Sequence, residues 1–146
     1  MVHLSVAVRG RLVMKRRVLL VDDDVAVLLT LKAVLELNHF DVETATSASE
    51  AREKLETREY EVVITDVRME SDAAGFEVLR AARAQSYHPA TAILTAYPPR
   101  DDSWRKEPVE SFLVKPIGTK QLVQQLETLI AQHADTQRRQ RGETAP

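Results

Sequence analysis

The chain has 146 residues, of which 44% are hydrophobic and 29% charged; its net charge is −2 at neutral pH and it contains no cysteine. That length allows one domain with a single core, the near-neutral charge gives no global attraction to nucleic acid or to an anionic membrane, and the lack of thiols excludes disulfides, cysteine catalysis and thiolate metal sites. The absence of cysteine fits a cytoplasmic protein, and because no apolar run approaches the roughly 18–20 residues of a membrane span, no membrane partner is expected.

Residues 1–16 read as a flexible basic extension: no acid precedes Asp22, while Arg9, Arg11, Lys15 and Arg16 are cationic. A secretory signal would place these charges ahead of the apolar segment Leu4-Ser5-Val6-Ala7-Val8, not behind it. Residues 17–133 hold the folded domain. The first strand, expected near 18–22, is the apolar run Val18-Leu19-Leu20-Val21, which ends in Asp22, Asp23 and Asp24. Leu28, Leu31 and Leu35 then mark one face of a helix, and Asn38 falls where a left-handed residue would stop it. A second strand is expected near 41–45, followed by a helix with Ala48, Ala51 and Leu55 inward, opened by Ser47 and Glu50 as a capping box. The third strand, near 61–65, contains Val62-Val63-Ile64-Thr65 and ends in Asp66; Phe76, Leu79 and Ala82 mark the helix after it.

The fourth strand, near 91–95, ends in Thr95. The segment from Pro98 to Pro108, which includes Trp104, must hold the fourth helix, and its prolines allow roughly two turns at most. That helix is expected to be short or irregular. The fifth strand, near 111–114, leads into Lys115, and the last helix carries the stripe Leu122, Leu126, Leu129, Ile130 and His133. Residues 134–146 are polar and read as a disordered tail. Five alternating strand and helix patterns imply a parallel sheet with helices on both faces.

The chemistry gathers at one sheet edge. Ligands of an open α/β sheet bind beyond the carboxyl ends of its strands, and there the sequence places Asp22, Asp23, Asp66, Thr95 and Lys115. Like charges collected in one crevice need a cation, and oxygen donors suit Mg²⁺. A carboxylate nucleophile, a metal, a hydroxyl and an ammonium together are an inventory for phosphoryl transfer. Asp24 reads as a cap of the first helix. His3, His39, His88 and His133 have no metal-ligand spacing and read as structural or exposed.

The runs 18–24, 62–69, 93–97 and 112–116 resemble, in order and spacing, the response-regulator receiver domain of two-component signalling. The resemblance implies a flavodoxin-like (βα)5 fold with strand order 2-1-3-4-5. It makes Asp66 the phosphoacceptor, attacking a phosphohistidine on a sensor histidine kinase or a phosphotransfer protein. It gives Mg²⁺ (or Mn²⁺) to Asp22, Asp23, Asp66 and the main-chain carbonyl of Arg68. Thr95 would bind the phosphoryl group, Lys115 would pair with Asp66 and then with the phosphate, and Phe112 would be the switch aromatic. Such a protein is a phosphoacceptor switch with only self-directed phosphotransfer and dephosphorylation, a monomer or weak dimer. No DNA-binding or catalytic output segment is recognised, so its target is expected to be a protein in trans.

Three features depart from the family pattern. Glu70 follows Met69 where proline is usual, and the loop 70–74 is one residue longer than is usual for the family before Gly75. The fourth unit is short. Arg68 and Tyr97 stand two residues beyond Asp66 and Thr95, where their bulk and the Arg68 charge are expected to restrict water and prolong the phosphorylated state. Two other functions compete. One is a receiver-like module that binds partners without phosphate. The other is a haloacid-dehalogenase-type phosphatase with Asp22 as nucleophile, against which Ala26 stands where that motif wants Thr or Val.

Overall fold

The computed structural model describes residues 4–8, 11–14, 16–96 and 109–142. The expected fourth helix within 98–108, together with His3, Tyr97 and Trp104, lies outside the described residues. In chain order the elements are β1 (Leu4–Val8), β2 (Arg11–Met14), β3 (Arg16–Val21), α1 (Val25–Leu37), β4 (Phe40–Ala45), α2 (Ala48–Thr57), β5 (Val62–Thr65), α3 (Ala74–Arg83), β6 (Ala90–Thr95), β7 (Ser111–Val114) and α4 (Thr119–Gln140). β1 and β2 pair antiparallel within the segment expected to be a flexible extension.

The remaining strands form one parallel sheet in the order β4-β3-β5-β6-β7. This is the flavodoxin-like order 2-1-3-4-5. β3, β5 and β6 lie inside the sheet with helices over both faces, which explains their nearly unbroken apolar runs. Alternate residues serve alternate cores. Val18, Leu20, Ile64 and Leu94 meet Leu28, Leu31 and Leu35 of α1 and Leu122, Leu126 and Leu129 of α4. Leu19, Val21 and Val63 meet Ala48, Ala51 and Leu55 of α2 and Val78 and Ala82 of α3.

The helix ends show where local signals held and where they shifted. Asp24 caps α1, accepting from the amides of Ala26 (3.0 Å) and Val27 (3.3 Å). At the other end the left-handed residue is His39, with φ of 70°, and not Asn38, whose side-chain amide donates to the Val34 carbonyl at 2.8 Å. Histidine, like asparagine, tolerates that region better than most residues, and the Asn38 side chain caps the carbonyl end instead. In α2, Ser47 accepts from the Glu50 amide at 3.1 Å, while the Glu50 carboxylate accepts from Thr46 and not from the cap residue itself. α4 runs to Gln140, beyond the expected end at 133, and Asp135 pairs there with Arg138 and Arg139 at helical spacing.

Charged contacts close the sheet edge remote from Asp22 and Asp66. Arg16 grips Glu127 of α4 through both carboxylate oxygens, at 2.9 and 2.6 Å, and lies over the Phe40 ring at 4.3 Å. The His133 ring nitrogens lie 2.7 Å from the Glu110 carboxylate and 2.6 Å from the His88 carbonyl, a structural role as expected. No described helix is long and apolar enough to cross a membrane. Asp24→Ala, which strips the acceptor from two amides of the first α1 turn, is expected to destabilise the fold by about 1 kcal/mol. Urea unfolding checks this as a lower midpoint at unchanged slope.

Candidate functional site

Ladder hydrogen bonds run past the strand ends into the site and set its side chains at one level. The Asp22 amide donates to the Ala45 carbonyl (3.1 Å), the Asp66 amide to Val21 (2.9 Å) and the Lys115 amide to Thr95 (2.9 Å). Because β3 and β5 are neighbours, with Val21 opposite Thr65, the carboxylates of Asp22 and Asp66 leave the sheet side by side. Lys115 comes from β7, two strands from β5, and its length spans the gap. The Lys115–Pro116 peptide is cis.

The Lys115 ammonium bridges the two acids, donating to Asp22 Oδ2 at 2.5 Å and to Asp66 Oδ2 at 2.9 Å. The second oxygen of each acid accepts a main-chain amide, Asp24 onto Asp22 Oδ1 at 3.0 Å and Val67 onto Asp66 Oδ1 at 2.7 Å. Asp22 is only 4% exposed. Its burial pushes the carboxyl above the usual aspartate range, against the lowering by Lys115 and the Asp24 amide and with a further push from Asp66. Burial also opposes the Lys115 charge, but the two carboxylates outweigh it and hold the ammonium above its ordinary range. The charges are thus mutually dependent.

The structure places the other expected site residues as follows. Thr95 is buried at the end of β6, and Asp23 and Arg68 are exposed. Phe112 is half-buried and packs against a small cluster of Val67, Leu79 and Ile93, which includes the residue that follows Asp66. Tyr97 lies outside the described residues. Among the described residues no three acidic or histidine side chains converge as a ready metal cluster. Asp22, Asp23 and Asp66 fit a hard divalent ion by donor chemistry, all carboxylate oxygens, while the geometry shown is that of an ammonium-bridged pair.

Sequence reasoning did not single out two residues that shape the site. Gly75, in the first turn of α3, comes so close to the chain that a Cβ there would lie 2.0 Å from the Asp66 carbonyl oxygen, and its amide donates to the Val67 carbonyl at 2.9 Å. A lone glycine at the foot of a helix after a strand-end acid was the available signal. Glu70, noted only as a departure, reaches the amide of Ala48 in α2.

Because the folded state disfavours the Asp22 anion, its ionisation detracts from stability. The loss is absent below the ordinary aspartate pKa and complete above the raised one. Asp22→Asn is therefore expected to raise the melting temperature at pH 7 in EDTA by roughly 2–5 °C. The gain should shrink as pH falls into the carboxylate range, and paired thermal melts at neutral and acidic pH check both statements.

A family model described as response regulator receiver domain matches residues 18–127. The alginate biosynthesis transcriptional regulatory protein AlgB of Pseudomonas aeruginosa is 35% identical over 109 residues, covering 73% of this chain and 24% of that protein. The transcriptional regulatory protein PrrA of Mycobacterium leprae is 34% identical over 132 residues, covering 88% of this chain and 52% of that protein. The chain thus spans about a quarter to a half of the length of these curated relatives. Among solved structures, the chemotaxis response regulator CheY4 of Vibrio cholerae superposes with a TM-score of 0.71 at 28% identity, covering 79% of this chain and 98% of that one. The response regulator TrrA of Thermotoga maritima, solved in complex with Mg²⁺ and BeF, gives a TM-score of 0.69 at 26% identity over 78% of this chain and 98% of that one. With its sheet order, its paired strand-end acids and a family model spanning most of its length, the chain belongs to the response-regulator receiver domains of two-component signalling.

Proposed function

We propose that Asp66 accepts a phosphoryl group from a phosphohistidine on a sensor histidine kinase or a phosphotransfer protein, and that the resulting acyl phosphate alters the chain's contact with a protein target in trans. The observation that carries this reading is the Lys115 ammonium held between Asp22 and Asp66. A nucleophilic carboxylate must approach an anionic phosphoryl group, and the bridging cation lowers that repulsion. As the donor P–N bond breaks and the Asp66 O–P bond forms, Lys115 exchanges a carboxylate partner for a phosphoryl oxygen. Thr95, at the neighbouring strand end, offers its hydroxyl to another oxygen. Phe112 is half-buried against the cluster that contains Val67, and in this reading it turns inward as Thr95 moves.

Asp22, Asp23, Asp66 and the Arg68 carbonyl would hold Mg²⁺ (or Mn²⁺). When bound, the ion neutralises charge on the phosphoryl oxygens. The surface beside the site suits a protein donor. An open, mainly apolar groove is lined by Val27, Leu31, Leu94, Pro116 and Ile117 together with Lys115. Along α1, Val25, Leu29 and Leu37 are exposed, Leu37 at 80%. A helix that also carries large apolar side chains on its exposed face is one built to be covered, here by a helix of the phosphodonor. The chain is read as a monomer or weak dimer acting in the cytoplasm as a switch, its only catalysis self-directed, with no direct DNA contact.

Acetyl phosphate with Mg²⁺ is expected to add one phosphoryl group to the wild type, located by peptide mass spectrometry on Asp66. Asp66→Asn should abolish the addition, and Lys115→Ala should slow it roughly tenfold or more. Label on Asp22 would instead favour the phosphatase reading, and no label under conditions that modify a control receiver would favour a phosphate-independent binding module. Arg68 and Tyr97 are proposed to shield the acyl phosphate from water. Replacing both with alanine should shorten its half-life severalfold in a decay assay, and an unchanged half-life would remove them from that role.

A further inference from the structure

Glu70 lies in the exposed loop between Asp66 and α3, yet its carboxylate accepts the amide of Ala48 through both oxygens, at 3.1 and 3.0 Å. Ala48 is the first residue of α2. Its N–H is one of those a helix leaves without an intrahelical acceptor, and the Ser47 hydroxyl already serves the Glu50 amide. The acceptor therefore comes from 22 residues along the chain, and its negative charge is also favoured by the helix dipole. The same loop is held elsewhere by the Gly75 amide on the Val67 carbonyl, 2.9 Å, and by the Met69 amide on the Ser71 carbonyl, 3.1 Å. Met69 itself packs against the core beneath α2 and α3. Ser71, Asp72 and Ala73 are exposed, so little else on their side orders the segment.

Resting on the reading of Asp66 as phosphoacceptor, we propose that Glu70 is a positioning residue. Its strap to the α2 N-terminus holds the loop that begins at Val67, whose amide orients the Asp66 carboxylate at 2.7 Å, and so sets the rate at which Asp66 is phosphorylated. Without the strap the exposed part of the loop, Glu70 to Ala73, is held only by the Met69–Ser71 bond and by its α3 end, and ordering it for each transfer has an entropic cost. Small displacements of a reacting group reduce rates far more than they reduce stability. A cap that merely stabilised α2 would behave differently, because the Ser47 hydroxyl supports the same helix end without touching the loop.

The test compares wild type, Glu70→Ala, Glu70→Gln and Ser47→Ala in the full chain by two measurements. One is hydrogen exchange at the Ala48 amide without phosphodonor; the other is the initial rate of labelling by acetyl phosphate with Mg²⁺. In Glu70→Ala the Ala48 amide should exchange about tenfold faster and labelling should slow about tenfold. Glu70→Gln keeps one oxygen acceptor and should recover most of both. Ser47→Ala should label within about twofold of wild type although it loses a helix cap. Labelling of Glu70→Ala at the wild-type rate, or an equal loss in Ser47→Ala, overturns the proposal while leaving the Asp66 reading intact. A wild type that takes no label overturns both.

Discussion

Two carboxylates that a parallel sheet forces side by side, and one ammonium long enough to reach both, form the interaction on which the site depends. The adjacency of Asp22 and Asp66 follows from backbone pairing: Val21 and Thr65 are ladder partners, so the residues after them emerge together. No surface rearrangement relieves that repulsion without breaking the sheet. Lys115 relieves it from two strands away, which makes the correct placement of β7 a condition for a stable crevice. Removing Lys115 would leave two carboxylates side by side without their cation, whereas removing the Asp22 charge leaves a single Lys115–Asp66 pair in a site of low exposure.

This arrangement is sustained by packing elsewhere. The folded state disfavours the Asp22 anion, and such a strained group persists only where the surroundings over-determine it. Here the surroundings are the two cores on either side of β3 and β5. The Asp24 cap, which starts α1 two residues after Asp22, adds to them. Asp22 itself accepts the Asp24 amide, so the acid and the helix start are one local structure. The three consecutive aspartates are therefore not interchangeable: one is buried, one is exposed and one is a cap.

Much of this was legible because it rests on period and position. The runs at 18–21 and 62–65 read as buried parallel strands and 91–95 as a further strand, and the leucine spacing of α1 and α4 marked their inward faces. Asp22, Asp66, Thr95 and Lys115 were placed at one edge by the element order alone. What was not legible depended on distances between segments. Nothing local shows that Gly75 will meet the Asp66 carbonyl, since the close approach is set by how α3 packs on β5. Nothing local shows that Glu70 will find an amide of α2, because residue type reveals charge but not reach. The shift of the left-handed position from Asn38 to His39 has a different cause: two adjacent residues both tolerate the turn, and the side-chain bond of Asn38 to Val34 decides between them. The end of α4 was misjudged because a polar helix supported by Asp135 with Arg138 and Arg139 has no apolar stripe to read.

The identity of the bridging cation also has a physical reason. A guanidinium is a planar fork that matches both oxygens of a single carboxylate. In this crevice each acid already gives one oxygen to a main-chain amide, leaving one apiece, on different residues, for the cation. An ammonium is a compact charge with three donors that need not lie in one plane. It serves Asp22 and Asp66 together, and on its flexible stem it can turn toward a new anion without withdrawing from the first. Under the proposed chemistry that new anion is the phosphoryl group on Asp66, which moves negative charge outward from the carboxylate. Under that chemistry a lysine just after β7 would pull on the strand that carries Phe112, which packs against the cluster containing Val67, the residue next to Asp66. The charge that makes the resting site tolerable is thus placed to sense that it has changed.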